Sequence, residues 1–284
     1  MIQIKKTSRQ AITFGRFMSN NTIGFIGGGN MAQALIGGLL DSGAPAKQIV
    51  VSDPSPEVQE TLKQMGVRVL EPADLVDEAK SVVLAVKPQL FDKVLPSLGE
   101  LLSDQLVISI AAGVSTGRIS QLLGGYTNLI RCMPNTPALV GEGACGLYAA
   151  SGVTEEAKQQ AQGLFEASGV AIWVDKEEQL HAVTAVSGSA PAYFFMFVEH
   201  MVKAATELGL DPADAHKLAV QTALGSARMM SSSDKTPEEL RNNVTSAGGT
   251  THAAIQSMQK AGVGELIEQG MKACVDRSIE MANS

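Results

Sequence analysis

The sequence predicts an α/β protein in two parts, a parallel-sheet domain followed by an all-α domain. Three observations carry this expectation. Short β-branched runs alternate with helical stretches over residues 22–175. Most of those runs are continuously apolar instead of alternating, as strands buried on both faces of a parallel sheet tend to be. After Asp175 the strand signals stop and only helical periodicity continues.

Residues 1–19 stand outside this pattern. They carry Lys5, Lys6, Arg9 and Arg16, and the first acid of the chain is Asp41. The arm reads as an extension outside the fold, with a transit peptide as the other reading of its charge. The sheet domain is expected over 20–175. Residues 23–26 form its first strand, followed by a glycine cluster and a helix over 31–40. Further strands are predicted at 49–51, 67–69, 82–86, 107–110 and 128–131, with helices near 56–65, 91–102 and 116–123. This spacing gives βαβ units. Strands at 145–149 and 171–174 close the sheet around a helix over 154–167. The helical domain is expected over 176–284, with helices at 177–186, 190–208, 212–230, 237–242, 251–260 and 264–282. Gly209, the serines at 231–233 and Gly262 separate them.

Composition narrows the function. With 284 residues and roughly 150 per domain, two domains are expected. Hydrophobic residues make up 45%, which excludes a disordered chain. A net charge of −7 leaves no basic face for nucleic acid. No apolar run reaches the length of about 18 residues that a membrane helix needs. The longest, 190–198, stops at Glu199. Cys132, Cys145 and Cys274 are too few and too scattered for a disulfide framework or a zinc site, which suits a reducing, cytoplasmic setting. Metal-binding spacings and a carboxylate pair are both missing. Chemistry must therefore come from a cofactor, hydroxyls and backbone.

The cofactor signature is Gly27-Gly28-Gly29-Asn30-Met31-Ala32, a G-x-G-x-x-A pattern between a predicted strand and a predicted helix. Gly27 permits the tight turn, and Gly29 lets the backbone approach a pyrophosphate. Ala32 allows close helix–strand packing, and the helix N-terminus offers unpaired N–H groups to the anion. This defines a Rossmann-type domain. Asp53 ends the second strand after Ser52, where a carboxylate accepts a bond from the adenosine ribose. A 2′-phosphate there meets like charge, with no Lys or Arg between Val51 and Leu62 to offset it, so electrostatics lean toward NADH over NADPH. The other reading of Asp53-Pro54 is a turn starter.

Ligands of an open parallel sheet bind beyond the carboxyl ends of its strands. Ala85, Val86, Lys87 and Pro88 lie at one such end, Ala111, Ala112 and Gly113 at the next, and Asn135 and Thr136 beyond a third. The small residues at 111–113 let a flat nicotinamide lie against backbone. Lys87 reads as a ligand-facing cation or a solvated lysine, and Asn135 as a cofactor ligand or a turn cap. The residues expected to hold NADH or NADPH are thus Gly27, Gly28, Gly29, Asn30, Met31, Ser52, Asp53, Ala85, Val86, Lys87, Pro88, Ala111, Ala112, Gly113 and Asn135. In the helical part, residues 187–193 and 245–251 form two small-residue motifs before helices. The second, holding Ser246, Gly248, Gly249, Thr250 and Thr251, is a carboxylate cradle or a plain N-cap.

Taken in order, the motifs at 23–32, 85–88, 107–114, 130–137, 186–193 and 243–251 resemble those of the pyrroline-5-carboxylate reductase family, from about Thr22 to the C-terminus. The resemblance implies reduction of 1-pyrroline-5-carboxylate to L-proline with NADPH or NADH. It also implies self-association through the C-terminal helices, as a dimer and sometimes as five dimers in a ring. Gly248 and Gly249 would hold the substrate carboxylate through their N–H groups, Ser246 and Thr250 would line the pocket, and Thr251 would hydrogen-bond the ring nitrogen as the catalytic residue. Three positions depart from the family's habit: Ala247 for proline, Ala190 for glycine, and Asp53 for a neutral residue. A rival, the β-hydroxyacid dehydrogenases, uses a lysine on the inter-domain helix, whereas here the stretch that starts at Ala190 has no lysine until Lys203. The other rival, a non-catalytic NAD-binding protein, is disfavoured by the intact Thr251 and by the glycines at 248 and 249.

Overall fold

A computed structural model describes residues 21–282. The basic arm therefore lies outside the described residues. Eight strands form one sheet in the order β3-β2-β1-β4-β5-β6-β7-β8. They are β1 (Ile23–Ile26), β2 (Ile49–Ser52), β3 (Arg68–Val69), β4 (Ser81–Leu84), β5 (Leu106–Ser109), β6 (Leu129–Met133), β7 (Gly143–Ala149) and β8 (Gly169–Trp173). The helices around them are α1 (Asn30–Asp41), α2 (Pro56–Gln64), α3 (Pro72–Glu78), α4 (Phe91–Gly99), α5 (Thr116–Leu122) and α6 (Glu155–Glu166). Pro56 opens α2 beneath the Ser55 cap, and the Thr154 hydroxyl caps α6. Both ends follow the preference for proline at the first helical position and a hydroxyl before it.

The reason for the continuous apolar runs is visible in the core. Ile49 and Val51 belong to one buried cluster with Phe25, Leu35, Ile36 and Phe165. Val50 between them belongs to another, with Leu75, Leu84, Phe91 and Leu95. Successive residues point to opposite faces, and helices cover both. Neighbours from β3 to β6 are parallel. The chain order reverses between β1 and β4, which makes this the switch point where such sheets bind ligands.

Two features differ from the expectation. α3 lies where the strand-and-breaker pattern announces no helix. It starts at Pro72 and buries Leu75 and Val76. The sheet is also not parallel throughout, since β7 runs antiparallel to β6 and β8 follows β7. The cause is length. Residues 134–142 are too few for a parallel crossover of about a dozen residues, and they turn through a short 3-10 helix, Thr136–Val140, that ends at left-handed Gly141.

The compact units divide later than the end of the strands. One comprises the described residues up to Ser189 together with those from Cys274 onward; the other is Ala190–Ala273. The helical region expected from residue 176 thus begins with a segment that belongs to the sheet unit, α7 (Gln179–Val183) and a π-helical turn, Thr184–Gly188. The second unit holds α8 (Ala190–Glu207), α9 (Pro212–Ser231), α10 (Pro237–Asn243), α11 (Thr250–Lys260) and most of α12 (Val263–Ala282). α8 buries no residue, and α9 buries only Ala215 and Ala219. Phe194, Phe195, Met196 and Phe197 are all exposed on one chain.

Candidate active site

The ends of β1, β2 and β4 are drawn together at the glycine turn. The Gly27 N–H donates to the Ser52 carbonyl and the Ala85 N–H to the Ile26 carbonyl, each at 2.8 Å. Gly27 has φ +100, and a Cβ there would lie 2.8 Å from the Ala85 carbonyl. Gly28 is tight as well, with Leu62 and Val58 in the way of any side chain. Gly29 differs. Its φ is −67, an ordinary value, and a Cβ would meet nothing within 4 Å. Nothing among the described residues requires glycine at that position. The space in front of it fits the close approach of a pyrophosphate. α1 begins there with no side-chain cap and no acid in its first turn, so its N–H groups remain available to an anion. Asn30 is exposed and Met31 half-buried at this opening.

Asp53 combines both of its expected readings. Oδ1 accepts from the Ser55 N–H at 2.9 Å, the turn-starting bond. Oδ2 accepts from the Gly28 N–H at 2.8 Å and so fixes the glycine turn. A carboxylate has about four lone-pair sites, which leaves capacity for a ribose hydroxyl. Ala85 and Val86 are half-buried beyond β4, and Lys87 is exposed, its ammonium without an ion-pair partner among the described residues. A cavity of about 540 Å³ is lined by Pro88, Ala112, Gly113, Arg118 and Arg277, among others. Gly113 has φ +74, and a Cβ there would come within 3.0 Å of Met281.

Asn135 takes its structural reading. It is buried, donates to the Ser187 carbonyl at 3.0 Å and accepts from the Ala144 N–H at 2.9 Å, so it ties β7 to the π-helical turn. Its side chain is a brace here and not an open ligand.

In the second unit the motif at 245–251 is the N-terminus of α11. Gly249 is the N-cap, with no capping side chain. Gly248 has φ +71. One expectation is corrected: the Gly249 N–H donates to the Ser246 carbonyl at 3.0 Å, closing the turn, and is not free for a carboxylate. The uncapped first turn, with Thr250 and Thr251 exposed, presents N–H groups instead. The dinucleotide residues and Thr251 fall in different compact units. Among the described residues no group of three or more His, Cys, Asp or Glu could hold a metal, and no helix is long and apolar enough to cross a membrane.

One cluster escaped the sequence reading. Arg131, in the middle of β6, donates Nη1 to Glu177 Oε1 at 2.6 Å. The same carboxylate accepts the Thr116 N–H and, on Oε2, the Thr116 hydroxyl, both at 2.7 Å. Burial pushes the Glu177 carboxyl up, yet the bonds from Arg131 and Thr116 prevail and hold it below the usual range. The signal was an arginine inside an otherwise apolar strand, since a buried cation needs a partner.

A sheet with a glycine cradle at its switch point, followed by a helical unit with a hydroxyl-bearing helix tip, defines a nicotinamide-dependent oxidoreductase of the Rossmann class. Residues 177–281 match the family model for pyrroline-5-carboxylate reductase dimerisation, and residues 22–113 match that of NADP oxidoreductase coenzyme F420-dependent. The chain is 47% identical to the pyrroline-5-carboxylate reductase of Pseudomonas aeruginosa over 93% of this chain and 98% of that one. The structure of the Coxiella burnetii enzyme superimposes with TM-score 0.89 at 38% identity, covering 94% of this chain and 100% of that one. The Plasmodium falciparum enzyme, solved with NADP bound, gives 0.84 at 29% identity over 93% and 99%. The chain belongs to the pyrroline-5-carboxylate reductase family.

Proposed function

We propose that this protein reduces 1-pyrroline-5-carboxylate to L-proline, the final step of proline biosynthesis, in the cytoplasm and as a homodimer. The observation that carries the reading is the pair of complementary cradles. A dinucleotide cradle lies at Gly27–Gly29, where Gly29 leaves space that no described residue fills. The tip of α11 is uncapped, which leaves its first-turn N–H groups available to a carboxylate. Bound reduced nicotinamide supplies the hydride. The Gly27 and Gly28 N–H groups are spent on Ser52 and Asp53, so these two glycines would shape the turn, while Gly29, Asn30 and Met31 would hold the phosphates, Ser52 and Asp53 the ribose, and the segments 85–88 and 111–113 the nicotinamide end.

The chain's own residues have a modest task. A protonated C=N is already electrophilic, so no base need remove a proton from the substrate, which accounts for the missing acid–base dyad. The first-turn N–H groups of α11 orient the carboxylate, with Ser246 and Gly248 shaping the turn. The Thr251 hydroxyl bonds to the ring nitrogen and holds its proton. The test is loss of absorbance at 340 nm with the imine and either NADH or NADPH. Thr251→Ala should lower kcat/KM by about 10²-fold; a loss under threefold excludes the role given to Thr251. No oxidation of either cofactor by the purified protein excludes the function.

A further inference from the structure

The Thr116–Glu177–Arg131 cluster has no part in the chemistry above, yet it adjoins the segment expected to receive the nicotinamide. Gly113 is three residues before Thr116, which opens α5 under the Ser115 cap. Arg131 pairs across the sheet with Ser109, the last residue of β5. The Ser109 hydroxyl in turn accepts from the Ala111 N–H at 3.3 Å. The loop 110–115 is therefore gripped from both sides: at its start through Ser109, beside Arg131, and at its end through Thr116, which Glu177 takes by N–H and hydroxyl together. Arg131 and Glu177 have side-chain exposures of 8% and 19%, so their bond is protected from water. By contrast, the glycine turn at 27–29 is held by Ser52, Asp53 and Gln33 and, among the described residues, makes no hydrogen bond to this cluster.

We infer that Glu177 is a positioning residue for the nicotinamide-facing loop: by holding Thr116 beside Arg131 it keeps Ala111, Ala112 and Gly113 shaped for the ring end of the dinucleotide, without acting on the adenosine end. This rests on the reading that the protein uses a nicotinamide cofactor. It separates two halves of one ligand, which a merely structural ion pair would not do.

The test compares NADH with ADP-ribose, which lacks only the nicotinamide ring, by calorimetry on the full chain. Glu177→Gln should weaken NADH about tenfold, as loss of charge-assisted bonds to a partly buried group does. ADP-ribose affinity should stay within about twofold, and KM for NADH should rise more than KM for the imine. Because Glu177→Gln strands the Arg131 charge and could unfold the protein, Thr116→Val provides a second arm. It removes only the hydroxyl and should weaken NADH about threefold, again sparing ADP-ribose. Equal losses for NADH and ADP-ribose in either variant, or NADH binding by Thr116→Val indistinguishable from the parent, overturn the inference. A parent protein that binds NADH but leaves the imine unreduced would sink the functional reading alone.

Discussion

Asp53 and Gly29 show how much chemistry a single position can carry and how much of it a sequence exposes. An acid at the end of the second strand marks a ribose site from sequence alone. That the same carboxylate also holds the Gly28 N–H depends on how the β1 and β2 ends approach, which no local pattern records. Asp53→Ala should therefore raise KM for NADH about tenfold or more while narrowing or reversing the preference over NADPH, read from steady-state kinetics with both cofactors. Gly29 offers a cleaner separation of folding from binding. Serine is a good N-cap, and a Cβ at this site meets no protein atom. Gly29→Ser should keep or raise the melting temperature while weakening NADH by at least about tenfold, because the side chain enters the space meant for phosphate. The Gly249 N–H was beyond reach for a similar reason: whether it points outward or closes its own turn is decided by backbone angles, not by residue type.

At the level of elements, β1, β2, β4 and β5 were legible because each is a buried, largely apolar run, whereas α3 is too short to repeat its apolar face. The reversal at β7 follows from the length of segment 134–142, a count available in the sequence but decisive only once the 3-10 turn is seen to occupy part of it. α7 and α12 are joined by His181, whose Nδ1 lies 2.8 Å from the Ser278 hydroxyl. Burial, and then the Arg131 charge, hold its protonation below the ordinary value of 6.5. The folded form thus disfavours the charged ring. The stabilising contribution of neutral His181 is complete above the unfolded value of about 6.5 and is lost as pH falls below it. The stability difference between the parent and His181→Gln should shift against the parent between pH 7.5 and 5.5, measured by urea unfolding. A difference that stays constant over that range would remove His181 as the cause.

The whole molecule divides its labour unevenly. Both buried clusters lie in the sheet unit, while α8, α10 and α11 bury nothing on a single chain. The run from Phe194 to Phe197 is exposed within the region that matches the dimerisation model. Burying one large apolar side chain contributes about 1.5–3 kcal/mol, so a charge introduced there should be felt strongly. Phe195→Glu should weaken self-association at least about 100-fold by sedimentation, with activity falling in parallel. The sequence disclosed these helices by period but not their lack of a core, because period alone does not say whose surface will cover an apolar stripe.

Helices that find no interior within their own polypeptide make this protein's durability a matter of abundance. Its melting temperature should climb as more of it is present, and a newly made chain would remain unfinished until it encountered its twin.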